Sequence, residues 1–315
     1  MYETLIQEHY GLPVQRELGF GAGSQVYLME TPKGRLLLKF PEESAWKHPA
    51  LEPKVCDHLW QQGIPVCSFL PGLDGETVQW DAGGRFFTLQ RYFEGMSYPT
   101  GCLPENLLFA SAMLLGRLHM TLADFPALPE GEGCAFCRRP KLEEALQRCR
   151  QTLELALERG EQDVAEDARA RLQLLEAYVE EEFPAERLTM VNSHGDYRVQ
   201  QLICALDGIR AVVDWTSAST QPAAWEVLRS FAYAVPFLPD GTLDREKLRR
   251  YIRAYQVCGK LNEYDLALMP RLLLRQLAGS DCGMQYLEAS PAQRGRLWEQ
   301  LSFQAKLRNA LLREL

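Results

Sequence analysis

Residues 191–202 read VNSHGDYRVQQL, a polar stretch with one histidine, one aspartate and two adjacent glutamines. The apolar run that follows, QLICALDGIRAVVDW (residues 201–215), is interrupted by Asp207 and Gly208. An Asp-Gly pair between two apolar runs predicts a two-residue β-hairpin turn, because both central residues of that turn take positive φ. The stretch therefore predicts a polar loop that leads directly into a hairpin.

The predicted turn also determines which residues lie opposite each other in the hairpin. With that turn, Leu202 faces Val213 and Gln201 faces Asp214. Directly opposed Cβ atoms are about 4.5–5.5 Å apart, so an amide oxygen and a carboxylate would lie side by side. The loop that carries Asp196 reaches the same open end of the hairpin. Three oxygen-bearing side chains there suit Mg²⁺; the alternative is a hydrogen-bond network that closes the strand ends.

A glycine-rich turn, a lysine and a glutamate precede this region in the chain. The segment GFGAGSQVY (residues 19–27) joins two predicted strands, and its glycines let the backbone approach a phosphate closely. Lys39 lies at the end of the apolar run RLLLKF, and Glu52 lies at the start of the next predicted helix. A Lys–Glu pair beside a glycine loop is the arrangement that protein kinases aim at the α- and β-phosphates of ATP.

The apolar patterning divides the chain into two parts. Residues 1–93 show strand-like runs between glycine and proline turns, which predicts a small β-rich domain with one helix. Residues 94–315 are mainly helical apart from the hairpin. Helical periodicity in this second domain predicts helices over residues 104–125, 140–160, 161–183, 221–235, 243–257, 262–279 and 291–314.

Composition excludes several classes of protein. With 46% hydrophobic and 24% charged residues, the chain of 315 residues is not predominantly disordered. A formal net charge of −8 argues against a nucleic-acid partner, which needs a basic surface. No apolar run approaches the about 18–20 residues that span a bilayer, and the first residues lack the features of a signal peptide. We therefore expect a cytoplasmic protein without a nucleic-acid or membrane partner.

The nine cysteines show no framework spacing. One C-x-x-C pair, Cys134 and Cys137, lacks the second pair or nearby histidines that a zinc site needs. We expect reduced, buried thiols.

Taken in order along the chain, these motifs resemble the aminoglycoside phosphotransferase/choline kinase family, whose members are relatives of protein kinases. The family's loop reads H-G-D-x-x-x-x-N and is followed by a hairpin that ends in Asp-Phe or Asp-Trp. Here the corresponding residues are His194, Gly195, Asp196, Gln201, Asp214 and Trp215. The glycine turn, Lys39, Glu52 and the segments LQRYFEG (89–95) and LLGRLH (114–119) follow the family order, so the resemblance covers nearly the whole chain. It implies an α+β, bilobal protein-kinase-like fold with a small β-rich N-lobe and a large, mainly helical C-lobe.

The resemblance implies a role for each matching position. Asp196 would orient the acceptor hydroxyl and accept its proton. Arg198 would contact the transferred phosphoryl group; a surface ion pair is the alternative. Asp214 and Gln201 would hold Mg²⁺, although the family has asparagine where Gln201 stands, so a longer side chain must reach the ion. The positions implied for ATP are the backbone of Gly21, Ala22, Gly23 and Ser24, the side chains of Lys39 and Glu52, and the backbone of Arg91 and Phe93.

The expected function is ATP-dependent phosphorylation of a hydroxyl group on a small molecule, such as an aminoglycoside, choline, homoserine or a sugar. A Ser/Thr protein kinase of the same fold is an alternative, although no activation segment is recognisable. A nucleotide-binding pseudokinase is another, in which Gln201 marks lost catalysis. The acceptor's identity and the oligomeric state stay open, because fold does not determine function.

Overall fold

The computed structural model of the protein describes residues 2–20, 25–41 and 48–313. These residues form an α+β, bilobal protein-kinase-like fold with a small β-rich N-lobe and a large, mainly helical C-lobe. The fold class expected from the sequence is therefore confirmed. The division of the chain after residue 93 remains a prediction.

The N-lobe contains an antiparallel sheet. In the described part of the chain its strands are β1 (Arg16–Phe20), β2 (Gln25–Thr31), β3 (Gly34–Phe40), β4 (Gln79–Trp80) and β5 (Phe86–Arg91). The spatial order is β1-β2-β3-β5-β4. Lys39 lies near the end of β3, in register with Val26 of β2 and Thr88 of β5. It is thus flanked on both sides by neighbouring strands, which fix the direction of its side chain.

Two helices flank the sheet, α1 (Glu3–Tyr10) and α2 (Leu51–Gln61). Helix α1 was not predicted from the sequence; its buried Ile6 joins the apolar core of the sheet. Helix α2 begins as predicted, and its buried Val55 and Leu59 belong to the larger core that continues into the C-lobe. Helix α2 therefore connects the two lobes through its apolar face.

The C-lobe is mainly helical. Its helices are α3 (Glu105–Thr121), α4 (Glu132–Ala135), α5 (Arg139–Glu158), α6 (Gln162–Glu180), α7 (Ala223–Ala234), α8 (Arg245–Tyr255), α9 (Glu263–Ala278), α10 (Cys282–Glu288) and α11 (Pro291–Leu312). The seven helices predicted from periodicity are confirmed, with ends that differ by a few residues. The short helices α4 and α10 were not predicted, because too few turns exist to show a period.

Two small antiparallel sheets in the C-lobe carry the loops of the candidate site. Strands β6 (Met190–Ser193) and β9 (Ser219–Pro222) pair with each other and were not predicted. Strands β7 (Leu202–Ala205) and β8 (Gly208–Val212) form the predicted hairpin.

The predicted register of this hairpin is wrong. Leu202 pairs with Val212, not with Val213, and Ala205 pairs with Gly208, so the turn is Leu206-Asp207. Among the described residues neither turn residue has positive φ, and Gly208 takes φ 150° as the first residue of β8. The register shifts again between Ile203 and Cys204, where β8 contains one extra residue. A bulge of this kind cannot be read from the turn sequence alone.

Helix α3 with its following turn, Glu105–Asp124, is long and apolar enough to cross a membrane by length and composition, and was the only such segment found among the described residues. The sequence prediction had found no such run. More than half of this window, 56%, is buried inside the protein. Its buried face includes Leu108, Leu115 and Leu118, which belong to the main core.

The Cys134 and Cys137 thiols both donate to backbone carbonyl groups, of Thr220 and Gly133, at 3.2 Å. Burial raises the pKa of Cys134 to about 11 and that of Cys137 to about 12, so both are protonated thiols at neutral pH. All nine cysteines, each within the described residues, are free.

Candidate active site

The loop that follows β6 requires glycine at its second position. Gly195 has φ 76°, and a Cβ atom there would lie 2.0 Å from the carbonyl oxygen of Ser217. Any side chain would therefore collide with the backbone after β8. The close approach brings Asp196 beside the segment that carries Asp214.

His194 braces this loop. Its Nε2 lies 3.0 Å from the carbonyl oxygen of Val213, and its Nδ1 accepts the backbone N–H of Asp196 at 3.2 Å. The residue is fully buried. Because both ring nitrogens of His194 are engaged by backbone groups, His194 stabilises the loop and leaves Asp196 as the candidate base.

The Asp196 carboxylate lies among three side-chain donors. Oδ2 accepts from Arg198 Nη2 at 2.6 Å and from Gln201 Nε2 at 3.2 Å, and Oδ1 accepts from Arg229 Nη2 at 2.5 Å. Burial alone would raise the pKa of Asp196, but the charges of Arg229 and Arg198 outweigh it and lower the pKa to about 2. Asp196 is therefore ionised at neutral pH, and its orientation is fixed from both sides.

The sequence analysis missed Arg229, which α7 brings to Asp196 from 33 residues further along the chain. Every residue of α7 is buried, and Arg229 is 9% exposed. A signal was present: AAWEVLRSFAYA is apolar almost throughout, and a charged residue in such a helix needs a partner in the interior. Sequence spacing alone does not identify that partner.

The predicted pairing of Lys39 with Glu52 is confirmed. Lys39 Nζ lies 3.1 and 3.2 Å from the two Glu52 carboxylate oxygens and 2.8 Å from Asp214 Oδ1. Burial would lower the pKa of Lys39, but the charges of Glu52 and Asp214 outweigh it and raise the pKa above its ordinary value. The ammonium group is therefore held as a cation that joins β3, α2 and the end of the hairpin.

Asp214 has an unusual backbone conformation. Its φ is 64°, and it is the one non-glycine residue with positive φ among the described residues. Such a conformation is uncommon for residues with a side chain and is tolerated best by aspartate and asparagine. Burial would raise the pKa of Asp214, but Lys39 outweighs it and lowers the pKa. The next backbone N–H, of Trp215, donates to Glu52 Oε1 at 3.0 Å, so Glu52 binds both the lysine and the hairpin end.

Gln201 and Asp214 do not pair across the strands as predicted. Gln201 ends a short 3₁₀ turn before β7, and its carbonyl oxygen accepts from Val213 N–H at 2.9 Å. The side-chain amide of Gln201 contacts Asp196, whereas Asp214 contacts Lys39. The two side chains thus flank the open end of the hairpin with different partners, because the register differs by one residue from the predicted one.

The oxygen atoms at this end of the hairpin suit a hard divalent cation. The Asp214 side chain is 40% exposed and ionised, and the Gln201 amide turns its nitrogen to Asp196, so an Asp214 carboxylate oxygen and the Gln201 amide oxygen are the candidate ligands. The described residues contain no cluster of three or more His, Cys, Asp or Glu side chains placed to hold a metal ion. An open set of two protein oxygens matches Mg²⁺, which usually keeps several waters and substrate phosphates as ligands.

A buried network supports the loop from the core side. Glu226 Oε1 accepts the backbone N–H of Tyr197 at 3.0 Å, and its Oε2 lies 3.3 Å from His119 Nε2. His119 also contacts Ser193 Oγ and Tyr255 Oη, at 2.9 and 2.8 Å. Glu226 thus braces the loop that carries Asp196 and does not face a ligand.

Of the remaining predicted nucleotide-binding positions, two lie within the described residues and four lie outside them. Gly21, Ala22, Gly23 and Ser24 lie outside the described residues. Arg91 is the last residue of β5, is exposed, and donates its backbone N–H to Ser68 at 2.9 Å. Phe93, two residues further on, is partly buried.

A cavity of about 940 Å³ lies between the two lobes. Glu52 and Phe86 of the N-lobe contribute to its wall, and Asp196, Thr216 and Arg229 line the C-lobe side. The cavity therefore brings the Lys39–Glu52 pair and the Asp196 loop to the same space, which is large enough for a nucleotide-sized ligand.

Residues 14–261 match a family model described as the phosphotransferase enzyme family. The chain belongs to this family. The match extends over both lobes, from before β1 to the residues just ahead of α9. It includes Lys39, Glu52, Asp196 and Asp214, so the residues gathered at the cavity are those of a phosphotransferase domain. A comparison with curated protein sequences gives no match.

Solved structures with the same fold include several antibiotic kinases and a choline kinase. A spectinomycin phosphotransferase in complex with ADP and spectinomycin superposes with a TM-score of 0.68 at 12% identity, over 98% of this chain and 97% of the other. An amicoumacin kinase bound to AMP-PNP and Ca²⁺ gives 0.65 at 15% identity, over 97% and 92%. A choline kinase from Cryptosporidium parvum gives 0.58 at 13% identity, over 96% and 90%. At these identities the likeness establishes the fold of this phosphotransferase and no more.

Proposed function

We propose that the protein transfers the γ-phosphoryl group of ATP to a hydroxyl group of a small molecule, in the cytoplasm. The observation that supports the proposal is the buried Lys39 ammonium, which binds both Asp214 and Glu52, and Glu52 lines the same cavity as Asp196. A buried lysine held by a glutamate is placed for phosphate oxygens. Residues 1–93 would contribute most of the nucleotide contacts, including the backbone of Gly21 to Ser24, Arg91 and Phe93.

Each residue of the site would act through position and charge. Lys39 would hold the α- and β-phosphates. Asp196 would accept a hydrogen bond from the acceptor hydroxyl and so direct a lone pair of the hydroxyl oxygen to phosphorus. Because its pKa is about 2, Asp196 is a weak base, so it would receive the proton late, as the new P–O bond forms. Arg198 would neutralise charge on the phosphoryl group during transfer. These roles suit phosphoryl transfer, in which catalysis is mainly positioning and electrostatic stabilisation.

Asp214 and Gln201 would hold Mg²⁺, which supplies positive charge to the phosphates when it is bound. The structure supports this ligand pair through the exposure of Asp214 and through the Gln201 amide nitrogen, which faces Asp196 and not the ion. The Gln201 side chain would thus contact the metal ion through its amide oxygen and the candidate base Asp196 through its amide nitrogen.

The alternative is a nucleotide-binding pseudokinase. The observation that favours it is the full engagement of Asp196 by Arg198, Arg229 and Gln201, which leaves an acceptor hydroxyl to compete for the carboxylate. In the proposed enzyme, bound nucleotide would draw Arg198 from Asp196 to the phosphoryl group. In the pseudokinase the three contacts would persist.

The decisive experiment measures ADP formation from ATP and Mg²⁺ with a panel of an aminoglycoside, choline, homoserine and sugars. Asp196→Asn should lower kcat about 10²- to 10⁴-fold, since it removes the candidate base, while leaving the affinity for a fluorescent ATP analogue within about twofold. Asp207→Asn, in the exposed hairpin turn, is the matched control and should retain activity. Full turnover by Asp196→Asn would disprove the catalytic assignment. ATP binding without transfer to any acceptor would support the pseudokinase.

A further inference from the structure

A second, smaller cavity opens next to Asp196 inside the C-lobe. Its volume is about 220 Å³, and it shares Arg229, Glu132 and Lys141 with the large cavity between the lobes. This volume is below the about 300–1,000 Å³ typical of pockets for drug-sized ligands. A compact acceptor that enters it would have its hydroxyl close to Asp196.

Two arginines in the wall of this cavity carry buried donors that have no partner. Arg229 uses Nη2 to bind Asp196, but its Nη1 is buried and makes no hydrogen bond within the described structure. Arg198 also binds Asp196 through one nitrogen, and its Nε is likewise buried without a partner among the described residues. Buried donors of a charged group are rarely left unsatisfied, and at a candidate active site such groups point to a missing ligand.

The two guanidinium groups are held in place by an aromatic ring. Both lie over the ring of Tyr233, whose centroid is 5.3 Å from Arg198 Cζ and 5.2 Å from Arg229 Cζ. Arg229 is also 5.2 Å from the ring of Trp225. These contacts orient planar, forked donors without consuming their N–H groups. Such preorganised forks match the two oxygens of a carboxylate or the oxygens of a phosphate ester.

The acidic residues of the same wall are already paired or exposed. Glu144 binds Lys141 at 2.9 Å, and Asp281 binds Arg148 at 2.9 Å. Glu132 is exposed to solvent. Among the described residues, the buried side-chain atoms without a partner in the wall of this cavity belong to Arg198 and Arg229, which favours a negatively charged ligand group.

We propose that the phosphate acceptor carries an anionic group, a carboxylate or a phosphate ester, which Arg229 binds through Nη1. An oxygen hydrogen-bonded to Nη1 at about 2.9 Å would lie within about 8 Å of the Asp196 carboxylate. That span fits a small hydroxy acid or sugar phosphate whose hydroxyl reaches Asp196. The inference rests on the proposed function and narrows its acceptor to anionic compounds.

The test compares matched probes that differ only in charge. The pairs are 3-hydroxybutyrate with its methyl ester and ribose 5-phosphate with ribose, while choline and an aminoglycoside serve as cationic probes. Dissociation constants are measured by calorimetry on the full chain without nucleotide, and ADP formation is then measured with each probe. We expect at least one anionic probe to bind tenfold or more tightly than its neutral partner. Which pair shows the difference identifies carboxylate or phosphate ester.

Arg229→Gln should weaken binding of that anionic probe by about 10- to 100-fold, the loss of one or two charge-assisted hydrogen bonds. Binding of the neutral partner should change less than about twofold, since it does not use the charge. Arg229→Lys keeps the charge and the contact to Asp196 and should retain part of the preference. Arg253→Gln, an exposed arginine on α8, is the matched control and should match the native protein.

Each outcome decides between the inference and the function on which it rests. If no anionic probe binds more tightly than its neutral partner, or if the preference survives Arg229→Gln, the inference is wrong. If neutral or cationic probes are phosphorylated in that case, the proposed function still holds. If the anionic preference depends on Arg229 but no probe is phosphorylated, Arg229 binds an anionic ligand, but that ligand is not a phosphate acceptor and the proposed transfer is contradicted. Circular dichroism and thermal unfolding of each variant establish that it is folded.

Discussion

Replacing Lys39 and Glu52 singly and together tests whether the buried pair organises the site. Lys39→Met leaves Glu52, which is 5% exposed, as a buried carboxylate without its cation. Removal of one partner of a buried ion pair costs about 3–5 kcal/mol in the free energy of unfolding. Glu52→Gln should cost less, about 1–3 kcal/mol, because Lys39 keeps Asp214 at 2.8 Å and the glutamine oxygen can still accept from Trp215.

The double variant should be more stable than Lys39→Met alone by at least about 2 kcal/mol, because it leaves no unpaired charge in the interior. The remaining loss is the contact of Lys39 with Asp214, and solvent compensates part of this loss because the Asp214 side chain is 40% exposed. Nucleotide affinity should nevertheless remain low in the double variant. The double variant would then regain stability without regaining nucleotide affinity, because binding of the phosphates requires the Lys39 ammonium group itself.

Urea unfolding followed by circular dichroism measures the free energies, and titration with a fluorescent ATP analogue measures nucleotide binding. Lys54→Met, an exposed lysine on the same helix, is the control and should lie within about 0.5 kcal/mol of the native protein. If the two single effects simply add in the double variant, Lys39 and Glu52 do not interact energetically. The claim that the buried Lys39–Glu52 pair organises the site would then be wrong.

Two further outcomes follow from the surroundings of Asp196. Gln201→Asn shortens the side chain whose amide nitrogen donates to Asp196 at 3.2 Å. If the site requires the length of glutamine, kcat should fall about tenfold or more. A large gain in kcat would show instead that the glutamine impairs the site. The lowered pKa of Asp196, about 2 against 3.8, means that its ion pairs stabilise the folded state above pH 3.8 and that this contribution disappears as the pH falls through 2. The shift corresponds to about 2 kcal/mol. Urea unfolding at pH 7 and pH 3 should show that the native protein's advantage over Asp196→Asn falls by roughly half, and an unchanged advantage would contradict the ion-pair assignment.

Much of the fold follows from local patterns. Helical patterning located α3, α5, α6, α8, α9 and α11, which bury one face over several turns, and also α7, which is apolar almost throughout and fully buried. The sequence also predicted the position of the hairpin, the Lys39–Glu52 pair and the loop of residues 194–196, since each residue type there has one dominant physical reason to occur. The short helices α4 and α10 and the β6–β9 pair were not predicted, because elements of four to seven residues are too short to show a clear period.

The sequence by itself specifies which segments become helices and strands, because hydrophobic periodicity is local. It also indicates which charged residues enter the interior, because the cost of burying a charge depends on residue type. It does not specify which charges meet. Arg229 reaches Asp196 across 33 residues and Lys39 reaches Asp214 across 175, and both contacts arise from the packing of separate elements around one core. The hairpin register likewise depends on a bulge in β8, which the Asp-Gly pair does not reveal. Long-range pairing depends on the summed free energy of the whole packed arrangement, and no single segment contains that information.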